Sequence, residues 1–549
     1  MLLVCGALVL YPVFFIVTES LNVGDPGQFP PAKLGFDNFY NLYEDARIIG
    51  NTALVACLST VMAVTFGFTL AWILTRTAIP GRAVLERLLQ LPYYMTPLVG
   101  ALAWGILAGP KTGLINQFST LLGVSADIVD IYSPYGIAWV MALFEGTVAF
   151  VMISAAMKSM DPSLEESSRV LGAGKLRTAL RVTLPMVLPA VVSATIFVFA
   201  EMLGSFAAAL VLGIPGRFHV ITTAIWQSAT SYPPEYGRAA AMGLSLFAVM
   251  LLMLALSRLI LQRGNYATIT GKAFRPRPLE VGRLRLPLAC VCWLYVVMSV
   301  FLPLAALLLT SFQKFATVIL PQSVFTLANY QTALQMGALG SALENSLLLG
   351  LIVATLAVPL VSLLAWLIYR GNAPGGRAIE SVVMFPQAVP RMVFGLGLLW
   401  AWLWVPIPIY GTLWLLGIAY LTVFLPLGMR TMAGVVMQVD RALDECARVC
   451  GASWTYQMRT ITLPLLRPGM AAAWLLIFIA GVRELGVSLF LMGPHAKVIA
   501  PSIINSWLNS SSELSAAMAL LQTATVFVAV AVLFAVARSV TRADERTQT

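Results

Sequence analysis

Charge is scarce in this 549-residue chain: Asp, Glu, Lys and Arg make up 11% of it, against 59% hydrophobic residues. A soluble domain carries about a quarter charged residues, so a soluble globular protein is excluded. Histidine is rarer still, with only His219 and His495. The six cysteines, Cys5, Cys57, Cys290, Cys292, Cys446 and Cys450, lie in apolar runs or in one basic loop. That distribution indicates no disulfide framework. Cys446 and Cys450 share a helix face, yet both histidines lie in loops on the opposite side, so no metal site is expected. The phosphate-cradling sequence Gly-x-x-x-x-Gly-Lys-Ser/Thr is missing, so any ATP that drives the protein must be hydrolysed on another chain. Methionine is frequent, at 23 residues, but scattered as core filler and not clustered as a thioether copper path would require. No His/Asp or Ser/Lys constellation occupies the apolar segments, which argues against a membrane enzyme.

What the chain has in abundance is long apolar runs. About 20 such residues cross the hydrocarbon of a bilayer, and on that rule the chain is an all-α polytopic membrane protein with about twelve crossings. The first six lie near 2–18, 48–75, 85–108, 135–157, 183–212 and 236–261, and the second six near 286–311, 342–369, 379–405, 412–432, 461–491 and 514–537. The first segment has no basic leader and Glu19-Ser20-Leu21 is a poor cleavage site, so it reads as a retained helix.

Lys and Arg fall in alternate loops, in clusters around Arg76/Arg82/Arg87, 158–181, 258–285, Arg370/Arg377, 430–459 and 538–546. Short loops rich in these residues stay in the cytosol, which places both termini there. The other loops carry Asp25, Asp37, Glu44, Asp45, Asp127, Asp130, Glu235 and Glu513. The net charge of +10 is therefore topology, and nucleic-acid binding is not needed to explain it.

The chain is also written twice. Glu166-Ser167-Ser168-Arg169-Val170-Leu171-Gly172, nine residues, then Val182-Thr183-Leu184-Pro185 returns as Glu445-Cys446-Ala447-Arg448-Val449-Cys450-Gly451, nine residues, then Ile461-Thr462-Leu463-Pro464, displaced by 279. Earlier echoes, Asn51 with Asn345, Trp72 with Trp366, Arg76 with Arg370 and Pro92 with Pro386, run at an offset of 294. The difference places 15 extra residues in the first half, best accommodated in the loop Gly109–Pro134. The organisation expected is a repeat over 1–262, a basic, Pro-interrupted cytosolic linker over 263–285 and a second repeat over 286–549. Six crossings per half make the repeat parallel, with a two-fold axis along the membrane normal and a pathway between the halves.

Each copy of the motif is a polar island with an acidic helix start and a Gly break, a handle for a cytosolic partner. Its spacing, Glu-Ala-Ala, three residues, Gly, nine residues, Ile-x-Leu-Pro, resembles the coupling loop of the permease subunits of binding-protein-dependent ABC importers. Ser167-Ser168 and Cys446 stand in for Ala, and Val182 for Ile. The resemblance implies the type I importer permease fold and an inner-membrane transport subunit of a bacterium rather than an enzyme. It also implies ATPase-coupling roles for Glu166, Gly172, Leu184, Pro185, Glu445, Gly451, Leu463 and Pro464. The implied partners are two copies of an ABC ATPase, which hold the ATP and Mg while this chain carries no cofactor, a periplasmic solute-binding protein and the lipid bilayer.

Carried by Gly411 to Leu427, Leu463-Pro464-Leu465-Leu466-Arg467-Pro468-Gly469 and Arg483-Glu484-Leu485-Gly486, the resemblance is strongest to the fused ferric-iron permeases. Relatives for thiamine, aminoethylphosphonate, sulfate and polyamines share much of the pattern. Arg391 stands where the iron pattern has Gly, which keeps an anionic or chelated solute open. An ion-coupled secondary transporter is the alternative of another class.

A charge at mid-bilayer costs about 2.5–3.5 kcal/mol on insertion scales and invites a functional reading. The candidates are Glu145, Glu201, Arg391, Arg483 and Glu484. With Glu201-Met202-Leu203-Gly204 aligned to Glu484-Leu485-Gly486, Glu201, Glu484, Arg483 and Arg391 are expected along the translocation path. The competing expectation is a packing pair in which Arg483 neutralises Glu484 or a neighbouring carboxylate.

Overall fold

The computed structural model describes residues 2–25, 28–44, 46–110, 112–124, 128–160, 163–263, 281–315, 325–335, 337–371 and 374–547. Most of the expected linker, including Gly271, and the loop residue Asp127 lie outside these. The first half contains α1 (Leu2–Ser20), α2 (Ala46–Arg76), α3 (Pro97–Ala108), α4 (Pro134–Ser159), the short motif helix α5 (Ser163–Val170), α6 (Leu184–Gly204) and α7 (Tyr236–Arg263). The second half contains α8 (Gly282–Ser311), α9 (Gly337–Tyr369), α10 (Arg391–Leu403), α11 (Leu413–Gln438), the motif helix α12 (Arg441–Val449), α13 (Leu463–Val482) and α14 (Ser512–Thr547).

Among the described residues nine helices are long and apolar enough to cross a membrane. Two of the expected crossings are broken. Arg82–Tyr94 meets α3 at 96°, and Gly376–Ala388 meets α10 at 107°. Proline causes both breaks: it forces the residue before it out of the helical region, and Thr96 (ψ 147°) and Val389 (ψ 128°) are extended ahead of Pro97 and Pro390. The crossings expected to run through 212 and 491 end as regular helices at Gly204 and Val482. In α1, the first expected crossing, the apolar stretch Gly6–Ser20 is short.

The duplication is structural as well as textual. Asn38 Nδ2 donates to the carbonyls of Ser20 (3.1 Å) and Asn22 (2.8 Å), and Asn329 Nδ2 donates to those of Ser311 (2.9 Å) and Gln313 (2.8 Å). Asn51 donates to the His219 carbonyl (3.0 Å), and Asn345 to that of Lys497 (2.9 Å). The extra residues of the first half form a helix, Leu114–Leu121, tied down by Asn116, which donates to Gly109 O (3.0 Å) and Val129 O (2.7 Å).

The first helix of each half packs against both halves. In the first half, α2 packs along α4 and α6; in the second, α9 packs along α11 and α13. The first helix α1 lies between α7 of its own half and α10 of the other, where a Cβ at Gly397 would sit 2.7 Å from the Pro12 carbonyl oxygen. Likewise α8 packs on α14 of its own half and on α3 of the first, and its Tyr295 donates to the Leu143 carbonyl of α4 at 2.6 Å. Each half is thus joined by the first helix of the other.

Candidate functional site

The site has two parts: the paired motif loops at one end of the bundle, and a charged cluster between the halves.

In each loop a short helix ends at a left-handed glycine, Gly172 (φ +83°) or Gly451 (φ +76°). The chain then closes on itself, with Ala173 N–H donating to Ser168 O (3.1 Å) and Ala452 N–H to Ala447 O (2.9 Å). A Cβ at either glycine would meet nothing, so the backbone conformation alone selects the residue. Next comes a wider π turn, Ala179–Thr183 or Met458–Thr462, which runs into the Leu-Pro start of α6 or α13. Proline clashes with the carbonyl four residues back. For Pro185 and Pro464 that residue is Arg181 or Thr460, and the π turn displaces its carbonyl. The spacing of the motif is therefore a geometry: helix, left-handed turn, π turn, proline.

At the tips, Val170 and Leu171 are each 87% exposed, as is Val449 in the second loop. Glu445 is exposed; Glu166 lies in α5, with its side chain outside the described residues. Sequence reasoning missed the neighbouring carboxylates, Glu165 and Asp444, which turn inward to Arg76 at the end of α2 (3.3 Å) and Arg370 after α9. The signal was present, because Arg76/Arg370 and Glu165/Asp444 keep the same two offsets as the rest of the repeat.

Between the halves, Arg391 at the first turn of α10 pairs with Glu484 in the turn after α13 (Nη1 to Oε2, 3.2 Å). Glu484 Oε1 also accepts from Val487 N–H (3.2 Å). The two segments touch backbone to backbone: a Cβ at Gly395 would lie 2.9 Å from Val487 Cα, and one at Gly486 would lie 3.0 Å from Arg391 Cβ. Arg483 makes no ion pair with Glu484 among the described residues. It donates to the carbonyl of Tyr93, at the bend of the first half's broken helix, and its guanidinium lies 5.6 Å from the Tyr93 ring. The physical reason is the turn itself, which points consecutive side chains to opposite halves. On the first-half side, Gly204 lies beside Pro390, at the bend of the second half's broken helix. Each post-motif turn therefore meets the bend of the opposite half.

Glu145 of α4, Glu201 of α6 and Arg430 of α11 lie within electrostatic reach of this cluster, Glu145 of Glu201, Arg483 and Arg391, and Arg430 of Glu201. Arg391 has 51% of its side chain exposed. Glu201 and Glu484 are not counterparts. With α6 and α13 beginning 279 apart and the next repeated contacts 278 apart, Glu484 corresponds to Ser205 or Phe206, and Glu201 to a position inside α13.

Comparison with known proteins matches the family described as binding-protein-dependent transport system inner membrane component twice, over residues 55–265 and 357–543. The chain is 27% identical over 509 residues to the "Probable ABC transporter permease protein y4fN" of Sinorhizobium fredii, covering 88% of this chain and 86% of that one. It is 25% identical to the Fe(3+)-transport system permease protein FbpB 2 of Haemophilus influenzae, over 83% of each chain. Escherichia coli ModB, a molybdenum transport system permease protein, is 28% identical over 204 residues, covering 37% of this chain and 86% of ModB. With two copies of the family's module on two bundles that repeat several contacts at constant offsets, the chain belongs to the binding-protein-dependent transport system inner membrane components, as a multi-pass transport subunit.

Proposed function

We propose that this chain is the whole translocation channel of an ATP-driven importer, passing a solute from a periplasmic binding protein to the cytosol, with ferric iron as that solute. One ATPase subunit docks on each motif loop, which puts both loops and both termini in the cytosol. The observation that carries this reading is the pair of loop tips, where Val170, Leu171 and Val449 are almost fully exposed on a polar island. Exposed apolar residues rimmed by charge mark protein contact sites, and the sequence holds no phosphate-binding loop of its own. Iron is supported by a relative named for Fe(3+) transport that aligns over 83% of both chains. Glu201, Glu484, Arg483 and Arg391 line the path in this reading.

The test is co-expression with the cognate ATPase. Val170→Asp, Leu171→Asp and Val449→Asp together are expected to leave the permease inserted but to abolish ATPase co-purification. Wild-type recovery of the ATPase would overturn the docking assignment. Radioactive ferric iron, offered with the binding protein to reconstituted vesicles, is expected to enter with ATP. Accumulation of molybdate or sulfate in its place would overturn the solute.

A further inference from the structure

Beneath each motif loop lies a buried ion pair. Arg76 Nε stands 3.3 Å from Glu165 Oε1, with side chains 2% and 7% exposed; Arg370 pairs with Asp444 at 6% and 11%. The arginines close the scaffold helices of the two halves: Arg76 ends α2, and Arg370 directly follows α9. Each also holds the chain entering the loop. Arg76 Nη2 donates to Met157 O (3.0 Å), and Arg370 Nη1 donates to Asp440 O (3.2 Å). The carboxylates sit on the motif helices α5 and α12 and are engaged in turn by the leg of the loop that returns to the membrane.

That return contact is made differently in the two halves. Glu165 Oε1 accepts from Thr183 Oγ1 (2.7 Å), at the last residue before α6. Asp444 is one methylene shorter, and the buried hydroxyl of Thr462, the counterpart of Thr183, has no hydrogen-bond partner among the described residues. Gln457 closes the gap instead, donating from Nε2 to Asp444 Oδ1 at 2.7 Å. The residues differ while the linkage is the same: scaffold arginine, motif-helix carboxylate, return leg. Stability alone is a poor reason for keeping such a linkage at both sites, because a buried ion pair is often no better than apolar side chains of similar volume. What it does provide is a directional connection at one fixed register.

We propose that Arg76–Glu165 and Arg370–Asp444 are the two joints that transmit movement of the coupling loops to α2 and α9, and through them to the helices around the central charges. The proposal rests on the reading of the loops as ATPase-docking surfaces. A loop tied to the membrane helices only through its left-handed glycine and π turn would flex when an ATPase moved it. With the joint made, the motif helix and the scaffold helix move as one body. These four residues are positioning residues, and they do not touch the solute.

The experiment uses the full-length permease assembled with its ATPase and binding protein in vesicles, and reads three quantities: ATPase co-purification, melting temperature, and solute moved per ATP hydrolysed. Single variants R76Q, E165Q, R370Q and D444N strand a buried partner and are expected to lower the melting temperature. The doubles R76Q/E165Q and R370Q/D444N strand none and are expected to recover it. In every variant the ATPase stays bound, while solute per ATP falls by about tenfold, within the usual range of coupling between distant sites. If the doubles regain the wild-type ratio together with the fold, the pairs only stabilise and the proposal is overturned. Wild-type ratios in the singles overturn it too. Failure of the wild-type permease to retain an ATPase would instead overturn the docking reading, and the joints with it.

Discussion

Arg391 and Glu484 share one ion pair but not one environment, since the guanidinium is 51% exposed and the carboxylate 1%. The consequences of breaking the pair are therefore unequal. Arg391→Gln removes the ion-pair partner of this buried carboxylate, and breaking a buried pair by removing one partner costs about 3–5 kcal/mol. Glu484→Gln leaves an arginine that is already half exposed and lies over the face of Phe424, 5.9 Å away. The expected order of melting temperatures is wild type, then E484Q, then R391Q, with the double R391Q/E484Q above R391Q. Equal losses in the two singles would show that the exposed half of Arg391 is not solvated. Side-chain length makes a second residue-scale prediction. Gln457→Ala removes the bond to Asp444 and is expected to destabilise by about 1.5–3 kcal/mol, as for a hydrogen bond to a charged group. In an Asp444→Glu background the longer carboxylate reaches Thr462 as Glu165 reaches Thr183, so the same change should cost little. Thermal unfolding of the four proteins measures the cycle, and additivity would refute the compensation.

At the scale of elements, the most informative recurrence is Leu-Pro preceded by a π turn. It occurs at Leu184-Pro185, at Leu463-Pro464 and again inside α8, where Val297–Phe301 widens ahead of Leu302-Pro303. Each proline thereby sits in a continuous helix without clashing with the carbonyl four residues back. The left-handed glycines are the other fixed points of the loops. Gly172→Ala and Gly451→Ala are each expected to cost about 1–2 kcal/mol, the penalty of an L-residue in that conformation, with no steric component because the space around both is open. Unchanged melting temperatures would mean that the loops re-form with another turn. The sequence made the repeat, the loop motif and the positions of the long helices legible, because apolar runs and a constant offset are properties of one dimension. The bends at Pro97 and Pro390 were hidden, since an apolar run reads the same whether it is straight or turned by about a right angle. The pairing of Arg391 with Glu484, and of Arg483 with a backbone carbonyl 390 residues away, was hidden for a related reason. Adjacent charges in a sequence suggest a pair, while a turn sends them to different halves.

At the scale of the whole molecule, the first helices, each packed against both halves, decide how the two halves hold together. If each half were a closed bundle, the chain between 263 and 281 would be the main tie between them. Instead α1 also packs on α10 of the second half, and α8 also packs on α3 and α4 of the first, where Tyr295 bonds the Leu143 carbonyl and a Cβ at Gly146 would lie 2.8 Å from its hydroxyl. Among the described residues the contact between the halves is thus made of core packing. ModB, which aligns over 86% of its own length with only 37% of this chain, is a relative the size of one half. We therefore expect that a gene split between codons 263 and 281, with a new start for the second half, yields two chains that insert, co-purify through a tag on either one, and transport within about twofold of the intact protein. The mass-action cost of separating the chains is small when both are confined to the same membrane and bury packed helices against each other. The sharper arm removes α1 from the split protein. Because α1 packs on α10 as well as on α7, its loss should lower the thermal stability of both chains within the complex and leave the α2–α4 packing of the first half in place. Cysteine crosslinks can read that packing at Gly67 and Ala149, where a Cβ at Gly67 would lie 2.5 Å from the Ala149 Cβ. If the split halves separate on purification, or if removal of α1 damages only its own half, the shared first helices do not hold the molecule together and the linker does.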